Sequence, residues 1–157
     1  MRFILNTYKA IPVEREKADL SAFRAIKEAL QEGSFVCIAP EGTRSGNGIL
    51  QKAKPGVVLL ALANKVPIIP LAHYGGEKIW SNIKHFRRTQ FIMKLGKPFY
   101  LKNIKKPEKE VREKMLDEIM FQLASLLPEE MRGAYSQIPA NKPEYLMFAA
   151  DEEQTEK

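Results

Sequence analysis

Ser34-Phe35-Val36-Cys37-Ile38-Ala39-Pro40-Glu41-Gly42-Thr43-Arg44-Ser45-Gly46-Asn47-Gly48 is the stretch on which the reading of this chain turns. Its first six residues are an apolar run rich in β-formers, which predicts a buried strand. Three glycines within seven residues, Gly42, Gly46 and Gly48, then interrupt regular structure and let the backbone approach a ligand closely. Into the same loop fall one carboxylate (Glu41), one guanidinium (Arg44) and two hydroxyls (Thr43, Ser45). A loop that follows a strand of an open α/β sheet sits where ligands bind. Arginine offers a rigid donor fork that suits phosphate or carboxylate. Two readings stay open from these residues alone: an anion-binding loop, or a polar turn in which Glu41 and Arg44 pair with each other.

Outward from the loop the pattern alternates. Upstream, Ala10–Val13 is a short apolar piece expected as an edge strand, since Pro12 removes a ladder donor. From Asp19, read as the N-cap, Leu20, Phe23, Ile26 or Lys27, and Leu30 recur at helical spacing until Gly33 stops the helix. Downstream, Lys52, Lys54, Pro55 and Gly56 lead into an apolar helix over Val57–Asn64. Being apolar nearly all round, that helix is expected to be covered on most sides. Val66–Ala72 reads as a buried strand with prolines at positions 67 and 70. Ile79, Trp80, Ile83 and Phe86 mark a short amphipathic segment, and Phe91–Leu95 and Phe99–Leu101 read as two further strands. A long helix is expected from about Pro107 to Leu127, with Val111, Met115, Ile119, Leu123 and Leu126 as its apolar stripe. Strands alternating with helices predict an α/β fold: one domain over residues 1–140, a mixed sheet flanked by helices, and a charged tail of low order over residues 141–157.

The totals narrow the function classes. At 157 residues, 45% hydrophobic and 28% charged, the chain has the balance of an ordinary globular domain. Its net charge of +6 favours anionic partners. No RNP-like aromatic strand, helix-turn-helix signature or zinc spacing points to nucleic acid. No metal-ligand cluster or dinucleotide fingerprint is visible. The single cysteine, Cys37, lies inside the apolar run and is expected in the core. No segment approaches the ~20 apolar residues of a spanning helix. Membrane contact is therefore expected to be peripheral, on the cytoplasmic face. Arg2, Lys9 and their apolar neighbours, and Trp80 with Lys84, Arg87 and Arg88, are the candidate contacts with an anionic surface.

With those residues on the page, the chain resembles the PlsC-type glycerophospholipid (lysophosphatidic acid) acyltransferases. Ile11-Pro12-Val13-Glu14-Arg15 resembles the second of that family's four ordered blocks. Glu41-Gly42-Thr43-Arg44-Ser45 matches the third block and Val66-Pro67-Ile68-Ile69-Pro70 the fourth. Lys54 and Gly56 resemble the family's approach to the following helix, and Leu127–Tyr135 a common family ending. The resemblance covers about residues 8 to 136 and implies an acyltransferase-like fold. It implies transfer of a fatty acyl group from acyl-CoA or acyl-carrier protein to a lysophospholipid hydroxyl, with no further cofactor. Arg15, Arg44 and Lys54 would hold the acceptor's phosphate, Glu41 and Thr43 would shape the loop around the glycerol, and Gly42 and Ser45 would complete the substrate-binding set. Val66, Pro67, Ile68, Ile69 and Pro70 would form a wall of the site.

The first family block, a histidine with an aspartate five positions later, has no counterpart. Five positions after His73 comes Lys78, and five after His85 comes Gln90. No catalytic residue is therefore assigned. The expectation is an acyltransferase incomplete at its N-terminus and nearly inactive as written, because a positioned base contributes 10²–10⁴-fold. The alternative is a non-catalytic domain that binds lysophospholipid or acyl-CoA.

Overall fold

A computed structural model describes residue 11, residues 20–43, 47–76 and 79–148. Two compact units divide the chain, Met1–Ala39 and Pro40–Lys157. The expected edge strand at Ala10–Val13 lies outside the described residues except for Ile11, which is irregular.

In the first unit, helix α1 spans Leu20–Gln31. Its buried positions are Ala22 and Ile26, four apart on one face, while Leu20 is exposed. Gly33 closes it as expected: its amide donates to the Leu30 carbonyl and the Ser34 amide to that of Ala29, the paired bonds of a Schellman cap. The strand expected at Ser34–Ala39 does not form. These residues are irregular, and Phe35 and Cys37 are exposed rather than in a core. β-propensity becomes a strand only where a neighbour supplies the ladder, and among the described residues no backbone group bonds to residues 35–39.

The second unit holds helix α2 (Gly56–Asn64), strand β1 (Leu71–Tyr74), helix α3 (Ile79–Lys84), strand β2 (Ile92–Leu95) and strand β3 (Phe99–Leu101). Helix α4 (Lys109–Ala124), two 3₁₀ turns (Glu129–Met131 and Gly133–Tyr135) and strand β4 (Leu146–Phe148) complete it. The mixed α/β character is as expected. The described strands, however, form two separate antiparallel pairs, β1 with β2 and β3 with β4, rather than one mixed sheet. The expected strand at Val66–Ala72 is largely irregular because Pro67 and Pro70 have no amide to donate. Ile68, between them, exchanges two backbone bonds with Phe99 (2.8 and 3.1 Å) as an isolated bridge, and regular pairing starts at Leu71. Within the stretch expected to be a tail, Leu146–Phe148 is strand β4.

Helix α4 is the element against which the rest packs: α2, β1, β4 and the second 3₁₀ turn all lie on it. Met115, Leu116, Ile119, Met120 and Ala124 are its buried face, spaced as adjacent helical rows. Met115 and Ile119 belong to the expected stripe, whereas Val111, Leu123 and Leu126 are only partly buried. Fully buried Phe99 meets Phe148 edge-on at 5.7 Å, and Val58 of α2 completes the centre. Helix α2 is covered over most of its circumference, as expected: Val58, Leu60 and Ala61 are buried and Val57 and Leu62 partly so, with Leu59 exposed. On the outer face of α4, Lys109–Glu113 and Glu110–Lys114 pair at 3.8 and 3.4 Å. Such exposed pairs contribute about 0.3–0.5 kcal/mol each, so apolar burial dominates cohesion. Among the described residues no helix is long and apolar enough to cross a membrane.

Truncating the core should therefore cost far more than truncating the exposed run before the loop. Phe99→Ala is expected to lower the unfolding free energy by about 3–5 kcal/mol, and Phe35→Ala to change it by less than about 0.5 kcal/mol. Urea denaturation followed by circular dichroism measures both.

Candidate functional site

The glycine-rich loop is held by short bonds to the segment that enters α2. Pro40 accepts the Lys54 amide at 2.8 Å. The Glu41 carboxylate accepts the Gln51 amide at 2.8 Å, a charge-assisted bond that fixes the loop. Gly42 adopts a left-handed backbone (φ 68°), and a Cβ there would lie 3.0 Å from Cδ and 3.4 Å from Nζ of Lys54. The glycine thus permits the lysine side chain to lie across the loop. Asn47 accepts the Ile49 amide through its side-chain oxygen at 3.1 Å, turning the chain back toward buried Leu50. Glu41 is therefore engaged with backbone in this loop. Arg44, Ser45 and Gly46, like Arg15, lie outside the described residues.

A second layer comes from the far end of the sequence. Leu50 donates to the Met131 carbonyl at 2.9 Å and accepts from the Ala134 amide at 3.4 Å. The Tyr135 hydroxyl accepts the Ala53 amide at 3.2 Å, and its buried ring stands edge-on to Phe121 of α4 at 5.6 Å. Burial pushes the Tyr135 hydroxyl above its ordinary pKa. Gly133, with φ 48°, passes so close to Leu50 that a Cβ would collide with the Leu50 carbonyl oxygen. The Arg132 guanidinium caps the turn by donating to the Leu127 carbonyl at 3.1 Å. Residues 127–135 thus brace the loop from behind. They carry no local chemical signature, and only their place in the family ending marks them in the sequence.

Electrostatics favour an anion here. Lys52 and Lys54 are exposed beside the loop, and among the described residues no carboxylate forms an ion pair with either. Asp117 of α4 has a raised pKa, first through desolvation, with Lys52 lowering it and Glu113 raising it. The remaining predicted residues are spread out. Thr43 is exposed at the end of the described part of the loop. Val66 lines a pocket of about 260 Å³ with Ala61, Lys65, Tyr100 and Met147. Pro70 is buried, Ile68 bridges to Phe99, and Pro67 and Ile69 are exposed. His73 stacks on Phe91 at 5.4 Å, and His85 Nδ1 lies 2.8 Å from the Ser81 carbonyl. Among the described residues no group of three or more His, Cys, Asp or Glu could hold a metal ion.

Comparison with known proteins gives the chemistry a family context. Residues 1–74 match the family model described as Acyltransferase. The 1-acyl-sn-glycerol-3-phosphate acyltransferase of Bacillus subtilis is 30% identical over 96 residues, which are 61% of this chain and 46% of that protein. Its Pseudomonas aeruginosa counterpart is 35% identical over 76 residues, 46% of this chain and 30% of that protein. Human 1-acyl-sn-glycerol-3-phosphate acyltransferase beta is 33% identical over 84 residues, 54% and 28% of the two chains. The chain therefore spans less than half the length of these relatives. No solved structure matches it significantly.

Two variants test the construction of the site. Tyr135→Phe keeps the ring and removes the acceptor for the Ala53 amide, and should cost about 0.5–1.5 kcal/mol in denaturation experiments. Asp117, whose folded pKa is raised, favours the folded state below its ordinary value of 3.8 and loses that contribution as pH climbs through the folded value. Lys52→Met removes the one lowering influence named for it. The Asp117 carboxyl should then titrate at still higher pH by NMR, and a downward move would contradict the geometry.

Proposed function

We propose that this chain, which belongs to the PlsC-type acyltransferase family through residues 1–74, holds a lysophospholipid acceptor by its phosphate during fatty acyl transfer in phospholipid biosynthesis. The donor is acyl-CoA or acyl-carrier protein, and the acceptor is of the 1-acyl-sn-glycerol 3-phosphate class named for the relatives. One observation carries the reading: Lys54 lies across Gly42 in a loop whose own carboxylate, Glu41, is occupied by the Gln51 amide. The lysine's charge is thereby left for a ligand.

In this reading Lys54 and Arg44 bind the phosphate. Holding a phosphate with several cations fixes where the acceptor hydroxyl lies, and such positioning is a large part of catalysis. The hydroxyl oxygen then bonds to the thioester carbonyl carbon, the C–S bond breaks, and the hydroxyl proton passes through a base to the departing thiolate. Neither histidine of this chain has an aspartate five positions on, and His73 and His85 are engaged by Phe91 and Ser81. The family's His-x4-Asp base is therefore assigned to no residue here, and acceptor binding is the role given to this segment.

Titration calorimetry with 1-acyl-sn-glycerol 3-phosphate tests this. Saturable binding is expected, weakened about 10- to 100-fold in Arg44→Ala and in Lys54→Ala, the equivalent of one charge-assisted bond each. Free-CoA release should stay at background with this chain alone. Unchanged affinity in both variants would remove the proposal.

A further inference from the structure

Helix α3 and the turn that follows it form a surface that the described residues leave uncovered. Trp80 is 75% exposed, Ile83 56% and Phe86 fully so, with Ile79 also exposed. This is an apolar cluster on one short element, yet the element is built with care. The Phe86 amide donates to the Ile83 carbonyl at 3.1 Å and the Arg87 amide to the Asn82 carbonyl at 2.8 Å, again the paired bonds of a Schellman cap. Asn82 Nδ2 reaches Thr89 Oγ1 at 3.1 Å and holds the descending strand of the turn.

The residue in the left-handed position of that cap is Phe86, with φ 53°. Glycine is the usual occupant, because a Cβ is unfavourable there and a bulky ring more so. The ring makes no compensating contact, being wholly exposed. Among the described residues nothing offsets that cost, and the ring is left free to meet a partner. Charge names the partner. Between Lys78 and Pro107 there are nine Lys or Arg residues and no Asp or Glu, while the rest of the chain is acidic on balance. Lys84, Arg87 and Arg88, next to the apolar cluster, are all exposed. Aromatic and aliphatic side chains ringed by cations match the boundary of an anionic bilayer, where apolar groups enter and cations meet lipid phosphates.

We propose that α3 and its closing turn are the docking surface of this protein for an anionic lipid bilayer, with Trp80, Ile83 and Phe86 entering the interface and Lys84, Arg87 and Arg88 engaging headgroups. The proposal goes beyond the acceptor site and does not depend on the phosphate loop.

Trp80 is the only tryptophan, so its emission reports directly on the surface. The full chain is mixed with phosphatidylcholine vesicles containing about one-third phosphatidylglycerol, a composition giving a negative surface potential. A blue shift and co-sedimentation are expected, both reduced by raised salt and absent with phosphatidylcholine alone. Each of Lys84→Ala, Arg87→Ala and Arg88→Ala should lower partitioning about fivefold. Phe86→Gly is the decisive variant: it suits the left-handed position, so thermal stability should hold or rise while partitioning falls about tenfold. Lys54→Ala should partition normally, which separates this surface from the acceptor site. Equal partitioning of wild-type and Phe86→Gly protein would overturn the proposal. So would binding to phosphatidylcholine alone at the same strength, or a lipid-free dimer that buries Trp80.

Discussion

The buried face of α4 is the constraint on which the second unit depends. A two-stranded sheet is marginal by itself in water, and the described residues of this unit form two of them, linked by the Ile68–Phe99 bridge. Each gains its stability from an apolar face laid on the same helix. The β1–β2 pair contributes Ala72 and the β3–β4 pair Phe99, Leu101 and Leu146. Helix α4 also holds the chain end by a polar device, since the Glu118 carboxylate accepts the amides of Glu144 and Tyr145 at 2.6 and 2.8 Å. A charge-assisted pair at that point fixes where β4 begins, and so which of its residues faces inward.

The candidate site inherits its shape from the same helix at one remove. Phe121 of α4 holds the Tyr135 ring, the Tyr135 hydroxyl holds the Ala53 amide, and Lys54, the next residue, is bonded through its amide to Pro40. The loop is therefore a surface feature with a rigid backing. Exposed cations are worth little in water unless their positions are set beforehand. Here backbone bonds set the positions, and Glu41 is engaged by the backbone rather than competing with a ligand for lysine.

Much of this was legible in residue order. Phe99–Leu101 is a strand at the predicted bounds, and the strand expected from Phe91 begins at Ile92. Gly33 ends α1, and the apolar stretch after Pro55 is a helix. What could not be read was which neighbours each segment would find. Ser34–Ala39 has the composition of a buried strand, but without a ladder partner among the described residues it remains irregular and Cys37 exposed. The periodicity of α4 predicts Met115 and Ile119 of the buried face but not Leu116, Met120 and Ala124 beside them, which are covered by elements distant in sequence. For the site, Glu41, Gly42 and Lys54 were identifiable as a motif, whereas Tyr135 and Gly133 were not assigned roles. An aromatic hydroxyl that bonds to one backbone amide has no pattern in one dimension.

The bond between Ala53 and Tyr135 spans 82 positions of sequence. Closing so long a span is entropically slow, and contacts of this separation form after local helices and turns are in place. During synthesis the glycine-rich loop leaves the ribosome well before the residues that will brace it. The loop's final geometry is accordingly a late event in the life of each molecule, fixed only when residues 127–135 have folded back against it.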